Sequence, residues 1–366
     1  MNAFIRVMMH CTFAAVAVAH GQVAQDTKAG SALPESTNLF HPVDDGNPLH
    51  ARLDALASQG LDKVITDRRY IHQHPELSNR EFQTSAYIAA RVRALGLDVR
   101  TPIGKTGVVA VLRGSQPGPT VALRAELDAL PYHLLTQLET GQIGYRSGAQ
   151  QAGSDEIDIT VHGRQSITDA PWDGVDAIVV GSQIVLGLQT IVSRQMDYTK
   201  SPIILSIQDI RGGHFGAIAD SLTMSAALDW YDRDLRQDAI DRIKRTAENI
   251  ALASGATAEA RVVPEMYNPS IYNDPRLAVR MRPTLMRVAG ADHLIEIWRL
   301  PYADDFALYQ EKIPGLFVII GARAHGDEYF PNHSPKFHID ESSILVGERA
   351  LAHLTLDYML GARAPR

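Results

Sequence analysis

The stretch Ser154-Asp155-Glu156-Ile157-Asp158-Ile159-Thr160-Val161-His162 alternates polar and apolar residues, with Ile157, Ile159 and Val161 on one side. A period of two predicts a half-buried strand. Outward from it, 175–194 reads as a helix with Ile178, Val185 and Ile191 among its apolar positions. Segments 202–210 and 221–228 read as strands. Segment 234–254 places Ile240, Ile243, Ala247 and Ile250 on one helical face and stops at Gly255. A last strand, 258–263, closes the unit. The order β-α-β-β-α-β is the ferredoxin-like pattern. The expected unit covers 153–264. Inserted in a larger domain, such a unit dimerises through an edge strand or forms a lid.

The flanks predict that larger domain, of α/β type and in two parts, 50–152 and 265–366. In the first part, 53–69 suits a helix. Ser78 is placed to cap the next helix, with Glu81 as its capping-box partner. That helix buries Ile88, Val92 and Leu95 and ends at Gly96. Two β-branched runs, 108–112 and 120–123, flank the turn Gly114-Ser115-Gln116-Pro117-Gly118-Pro119 and predict paired strands. The second part predicts a helix over 274–289, a buried strand over 316–320 and a final amphipathic helix over 340–360. Leu345, Leu351, Leu354 and Leu356 are among the apolar residues of that last helix. Helix followed by paired strands is a layered α/β arrangement.

The N-terminus predicts export. Arg6 precedes an apolar run over 7–19, and small residues follow to Ala24. That is the layout of a secretory signal peptide, 1–24, and of a periplasmic or extracellular protein. The polar segment 25–49 reads as a flexible linker. Cys11 is the one cysteine in the chain and lies inside the signal. The mature protein then has no thiolate for catalysis or metal binding. A net charge of −7 speaks against a nucleic-acid partner, which would require clustered Lys and Arg. No run of 18 apolar residues predicts a membrane span after signal removal.

Four further segments carry chemistry by resemblance. They are Arg69-Tyr70-Ile71-His72-Gln73-His74-Pro75-Glu76-Leu77-Ser78, Gly104-Lys105-Thr106-Gly107-Val108-Val109-Ala110, Gly118 through Leu123-Arg124-Ala125-Glu126-Leu127-Asp128-Ala129-Leu130-Pro131, and Asn332-His333-Ser334-Pro335-Lys336-Phe337 with Asp340-Glu341. In this order the chain resembles the metallopeptidase family of aminoacylases, hippurate hydrolases and indole-acetyl-amino-acid hydrolases, over roughly 50–360. The resemblance implies a catalytic α/β domain interrupted by a ferredoxin-like dimerisation domain, which agrees with the order of elements above. It also implies two divalent metal ions, zinc or manganese, that polarise an amide carbonyl and activate water beside a glutamate base. The implied substrates are N-acyl amino acids or small peptides, and the implied partner is a second copy held through the lid.

The sequence departs from that pattern where the chemistry should be. The family follows its Ala-Leu-Pro strand end with a His-x-Cys-Gly-His-Asp segment, then a Pro-Ala-Glu-Glu segment and a further ligand histidine. Here 23 residues separate Pro131 from Asp155, and those motifs are missing between them. Ile167 stands where the lid resemblance implies a histidine. Gly212-Gly213-His214-Phe215-Gly216-Ala217 replaces a segment that would carry Arg and Asn, and Leu228 lies about where another arginine is implied. Asp304-Asp305-Phe306 replaces Glu-Asp-Phe. His333 is the one metal ligand retained by match, with Asp128 and Asp304 as possible remnants of the site. One imidazole cannot hold a catalytic zinc, which takes about three protein ligands. His72 and His74 fall in a motif that is structural in the family, and His162, His214, His325 and His338 are scattered. Asp155, Glu156, Asp158 and His162 alternate along one strand and point to opposite faces. The expectation is an amidohydrolase homologue without a working metal centre and with no metal bound. The alternative is an active amidohydrolase or peptidase using a replacement metal site.

Overall fold

The computed structural model describes residues 43–127, 134–213, 215–332 and 334–361. The expected signal peptide and most of the expected linker lie outside them. The chain divides into two compact units. Unit 1 takes the chain up to Tyr145 with Arg276–Ile297 and Phe317–Arg366; unit 2 takes Arg146–Pro275 and Trp298–Leu316. Unit 2 therefore takes in more than the expected 153–264, and the 298–316 segment returns to it.

Unit 2 has the ferredoxin-like order. Its strands are β6 (Gly153–His162), β8 (Ile203–Gly212), β10 (Ser221–Trp230) and β11 (Thr257–Val262), hydrogen-bonded in the order β11-β6-β10-β8 and all antiparallel. The helices are α3 (Ala177–Thr190) and α4 (Arg233–Ala253). Asp176 caps α3 by accepting from Ile178 N, and Asp232 caps α4 by accepting from Asp234 N and Leu235 N. Ile157, Ile159, Val161, Ile184, Leu188, Leu228, Ile240 and Ile243 close one continuous core between helices and sheet. Helix α3 is shorter than expected because Ile191–Gln195 continues it as a π turn. Ile178, one of the apolar positions of the expected helix, is exposed, as are Val179 and Leu186. Ala177–Gln195 is long and apolar enough to cross a membrane by length and composition. Its inner face, Val180, Ile184, Leu188 and Ile191, belongs to the core of this α/β layer.

A buried charge sits at the centre of that layer. Asp155 on β6 is 1% exposed. It accepts from Trp230 Nε1 at 2.7 Å and, bidentately, from Arg236 Nε and Nη2 at 2.7 Å each. The Arg236 guanidinium lies over the rings of Trp230 and Tyr267. The bond to Asp155 holds the Arg236 pKa above its ordinary value. The fork geometry satisfies both carboxylate oxygens, which is what makes a buried charge tolerable.

A two-stranded ribbon with one isolated bridge also belongs to this unit. β5 (Gly148–Gln151) pairs with β12 (Ile271–Asn273), and Gln151 bridges Leu300.

Unit 1 is built from three pieces of chain. Its sheet runs β13 (Leu294–Glu296), β4 (Ile143–Tyr145), β14 (Ile319–Arg323), β3 (Leu134–Glu139). β14 is parallel to β3 and antiparallel to β4. The pair β14–β3 is so close that a Cβ on Gly321 would lie 2.0 Å from the Glu139 carbonyl oxygen. Helices α5 (Pro275–Ala289) and α7 (Ser343–Gly361) pack on this sheet through Leu285, Val288, Val346 and Ala350. Helix α1 (Pro48–Gln73) lies along α7. It is longer at both ends than the expected 53–69, because Asn47 caps it through a bond from Leu49 N and Pro48 suits its first turn.

Two expectations in unit 1 are overturned. Ser78 does not cap the second helix. α2 (Phe82–Ala94) starts later, and Glu76 reaches across the turn to accept from Gln83 N and Thr84 N. A carboxylate satisfies those free amides better than a hydroxyl and complements the helix dipole. Segment 120–123 is not a strand. The strand 107–111, β2 (Gly107–Val111), pairs instead with β1 (Asp98–Ile103) across the Gly104-Lys105-Thr106 turn. The resulting two-stranded ribbon leaves Ile103, Val109 and Val111 exposed.

Asp155→Ala should cost about 3–5 kcal/mol, since it leaves Arg236 partly buried without its partner. Urea unfolding followed by Trp230 fluorescence measures this, and a loss under about 1 kcal/mol contradicts the role assigned to Asp155. Limited proteolysis should cut unit 1 first, around the β1–β2 ribbon and 113–127, because a two-stranded ribbon is marginal without further cover. Survival of a unit 1 fragment with unit 2 degraded contradicts that order.

Candidate functional site

The expected site residues fall on both units. In unit 1 the segment 120–127 runs extended towards Asp128, with Arg124 Nη2 paired to Glu126 Oε1 at 3.0 Å. Asp128 and His333, the expected remnant and metal ligand, lie outside the described residues. The chain on either side of His333 is held to β3. Asn332 Nδ2 donates to the Leu134 carbonyl at 3.2 Å, Thr136 Oγ1 donates to the Phe330 carbonyl, and Gln137 Nε2 donates to the Tyr329 hydroxyl at 3.0 Å. Beyond it, Ser334 caps a turn by accepting from Lys336 N. Arg323 and His325 both meet the Glu139 carboxylate. The His325 bond and both charges hold that carboxylate below its ordinary range against the opposing effect of burial.

The two ends of the motif set are joined. Arg68 Nη1 meets Glu341 Oε1 at 2.8 Å, and Arg69 Nη2 meets Oε2 at 2.6 Å. Burial alone would raise the Glu341 pKa, but the two guanidiniums hold it below the ordinary carboxylate value. The sequence shows the conjunction of Arg69 and Glu341 only as motif; the ion pair is the physical reason for it. His72 beside them is half-buried, and burial and the Arg68 charge lower its pKa. His74 Nδ1 lies 2.7 Å from the Tyr70 carbonyl, with its ring against Tyr70. His338 meets Asp327 at 3.5 Å, and His162 is exposed.

Because a depressed carboxylate pKa stabilises the fold above the unfolded value, the Glu341 contribution is complete above about pH 4.5 and fades as pH falls through the folded value. Glu341→Gln should cost about 2 kcal/mol at pH 7 and flatten the acid limb of the stability profile. Thermal melts from pH 3 to 7 measure both, and parallel acid limbs for the two proteins would contradict the assignment.

In unit 2, Asp304 is buried and accepts from Phe306 N at 2.8 Å, fixing the turn into the short helix α6 (Phe306–Gln310). That is a structural duty. The substituted positions of the lid are more telling. Ile167 on β7 (Ser166–Ile167) pairs with Ala217 on β9 (Ala217–Ile218). The two positions where histidine and asparagine are implied are therefore direct cross-strand neighbours. Ile167 is 62% exposed and Phe215, two residues before Ala217, is fully exposed. His214 lies outside the described residues. Leu228 requires a correction. It is fully buried in the lid core and faces the helices, so an arginine there would enter the apolar layer. Its apolar character follows from packing and says nothing of a lost ligand. Asp155, Glu156, Asp158 and His162 do not gather: Asp155 is committed to Trp230 and Arg236, and Asp158 lies 3.5 Å from Arg261 on the other face.

Within either unit taken by itself, the described residues bring no three His, Cys, Asp or Glu side chains to ligand spacing. In unit 1 Glu126 is ion-paired to Arg124, and Cys11, the one cysteine of the sequence, lies outside the described residues. Sequence reading passed over the most polar interior of unit 1, around His50 and His353, both buried. The carboxylates Asp357, on His50, and Asp54, on His353, lie about 300 residues away in the chain, so no local spacing marks those pairs.

No family model matches the chain. The thermostable carboxypeptidase 1 of Saccharolobus solfataricus is 28% identical, over 81% of this chain and 94% of that protein. That alignment runs over 378 positions, many more than 81% of a 366-residue chain supplies, so the relative carries residues with no counterpart here. The N-acetylcysteine deacetylase of Bacillus subtilis is 26% identical over 80% of this chain and 96% of its own length. Among solved structures, a Bacillus subtilis protein described as a dinuclear metal-binding peptidase of the M20 family superposes with a TM-score of 0.67. It is 24% identical and covers 83% of this chain and 99% of its own. The chain is thus similar in sequence to carboxypeptidases and deacetylases, and it shares the fold of an M20-family peptidase.

Proposed function

We propose that the chain is an exported, catalytically silent homologue of the amidohydrolases that act on N-acyl amino acids, working as a homodimer joined through its lid. The observation that carries the reading is the apolar Ile167–Ala217 pair beside the exposed Phe215, where polar groups would be required to hold a substrate amide and carboxylate. The sequence adds to it, with no cysteine after the signal and no His-x-Cys-Gly-His-Asp or Pro-Ala-Glu-Glu segment. A small N-acyl amino acid or peptide, if bound, is then held as a ligand and released unchanged. The lid supports the dimer by its outward apolar residues Ile178, Val179 and Leu186 on α3 and by the open edge of β8, where Ile204 and Ile210 are exposed.

The full chain purified from zinc- or manganese-supplemented medium should carry far less than one ion per chain and hydrolyse none of a panel of N-acyl amino acids. Near-stoichiometric metal, with turnover abolished by a chelator, would sink the reading in favour of a replacement metal site. Light scattering should give a dimer that Leu186→Glu converts to monomer; a monomeric wild type overturns the lid-joined assembly.

A further inference from the structure

One guanidinium of unit 2 has no anion beside it. Among the described residues Arg299 makes neither a hydrogen bond nor an ion pair, and its Nε is buried without an acceptor. The side chain is half-buried and lies over the Tyr231 ring, 5.4 Å from the centroid. The Tyr231 hydroxyl is used elsewhere, donating to the Leu300 carbonyl at 3.0 Å. Asp229, whose charge also reaches Tyr231, is half-buried and accepts from Ser154, and it forms no ion pair with Arg299. A guanidinium partly withdrawn from water and left unpaired costs stability.

A second unused donor stands next to it. Leu300 bridges Gln151 in parallel: Leu300 N donates to the Gln150 carbonyl at 2.8 Å, and Ala152 N donates to the Leu300 carbonyl at 2.9 Å. One residue back along both segments, Arg299 and Gln150 are neighbours, on the face opposite Leu300 and Gln151. Gln150 is fully buried, and its Nε2 has no acceptor among the described residues.

Backbone groups decide which end of that amide is the nitrogen. Tyr272 N donates to Gln310 Oε1 at 2.9 Å, so it is Gln310 Nε2 that reaches Asn273 Oδ1, at 3.3 Å. Asn273 Nδ2 then donates to the Arg146 carbonyl at 2.8 Å and to Gln150 Oε1 at 3.0 Å. A flip of any one amide would set oxygen against oxygen or N–H against N–H. The relay therefore ends in an N–H with nothing to receive it, on the face that carries Arg299.

We propose that Arg299 and Gln150 form a seat for a carboxylate, the acid end of a small organic monoanion. Both unused groups are donors, so what the place lacks is an acceptor. The planar fork of a guanidinium matches the two oxygens of a carboxylate, and the amide N–H serves a remaining lone pair. One cation balances one negative charge, so a phosphate dianion would bring charge that nothing here offsets. Tyr231 follows β10 directly, and β9 lies at the other end of that ten-residue strand. The seat is thus separate from Ile167 and Ala217 and does not rest on the reading of those positions.

Thermal melts of the full chain in sodium acetate, with ionic strength held constant by sodium chloride, test the seat. Acetate should raise the midpoint saturably above its value in chloride, and inorganic phosphate at the same ionic strength should raise it less. Arg299→Met should weaken the apparent acetate affinity by about tenfold, and Arg299→Lys, which keeps the charge and loses the fork, should fall between. Gln150→Glu keeps the oxygen that accepts from Asn273 and puts a carboxylate oxygen in place of Nε2. It should melt above wild type without acetate and no longer respond to acetate. If Arg299→Met does not fold, the Lys and Glu variants carry the same comparison. Equal midpoints in acetate and chloride, a larger response to phosphate, or an unchanged acetate response in the Arg299 or Gln150 variants overturns the proposal.

Discussion

Glu341, held by Arg68 and Arg69, is the join on which unit 1 depends. The unit is assembled from separate pieces of chain, and its first helix must find its last across the whole inserted unit. Apolar contact alone would allow α1 to slide along α7, because Leu53, Leu61, Val64 and Ile65 present a uniform stripe. A bidentate carboxylate at one end of the seam and the His50–Asp357 contact at the other leave one register. With α7 in place, Val346 and Ala350 cover the sheet.

Unit 2 was the more legible half, for a physical reason. Its strands each bury one face against two amphipathic helices, so a period of two or 3.6 is written directly in the residues. Unit 1 was legible mainly as motif. The run 120–123 has every local mark of a strand, yet no neighbour in the described structure offers it a ladder, and propensity without a partner does not make a sheet. Ser78 matched a capping box, but Glu76, a residue outside the box, satisfies the same amides from the preceding loop. Both misses come from competition that only three-dimensional neighbours decide.

The site shows the same division. Ile167 and Ala217 could be marked singly as departures, and their direct pairing across β7 and β9 turns two departures into one apolar surface. Leu228 was marked by the same logic and does not belong with them, because the register of β10 turns its side chain into the core. A departure from pattern carries functional meaning only when the position faces solvent or a ligand. Burial separates the two cases: on β10 the alternate residues Leu222, Met224, Ala226, Leu228 and Trp230 are the buried ones.

That distinction separates positions set by packing from positions free of it. The core of unit 2, the Asp155–Arg236 fork and the Arg68–Arg69–Glu341 join are polar or apolar as packing demands. The altered positions Ile167, Phe215 and Ala217 sit on a short ribbon that contributes little to any core, so apolar residues there cost the fold little. Selection on stability alone would preserve the first group and leave the second free to drift. The buried charges around His50 and Glu348 fit neither group. They weaken the seam relative to an apolar core of equal volume, although His50, His353 and Glu348 are buried and each histidine meets a carboxylate.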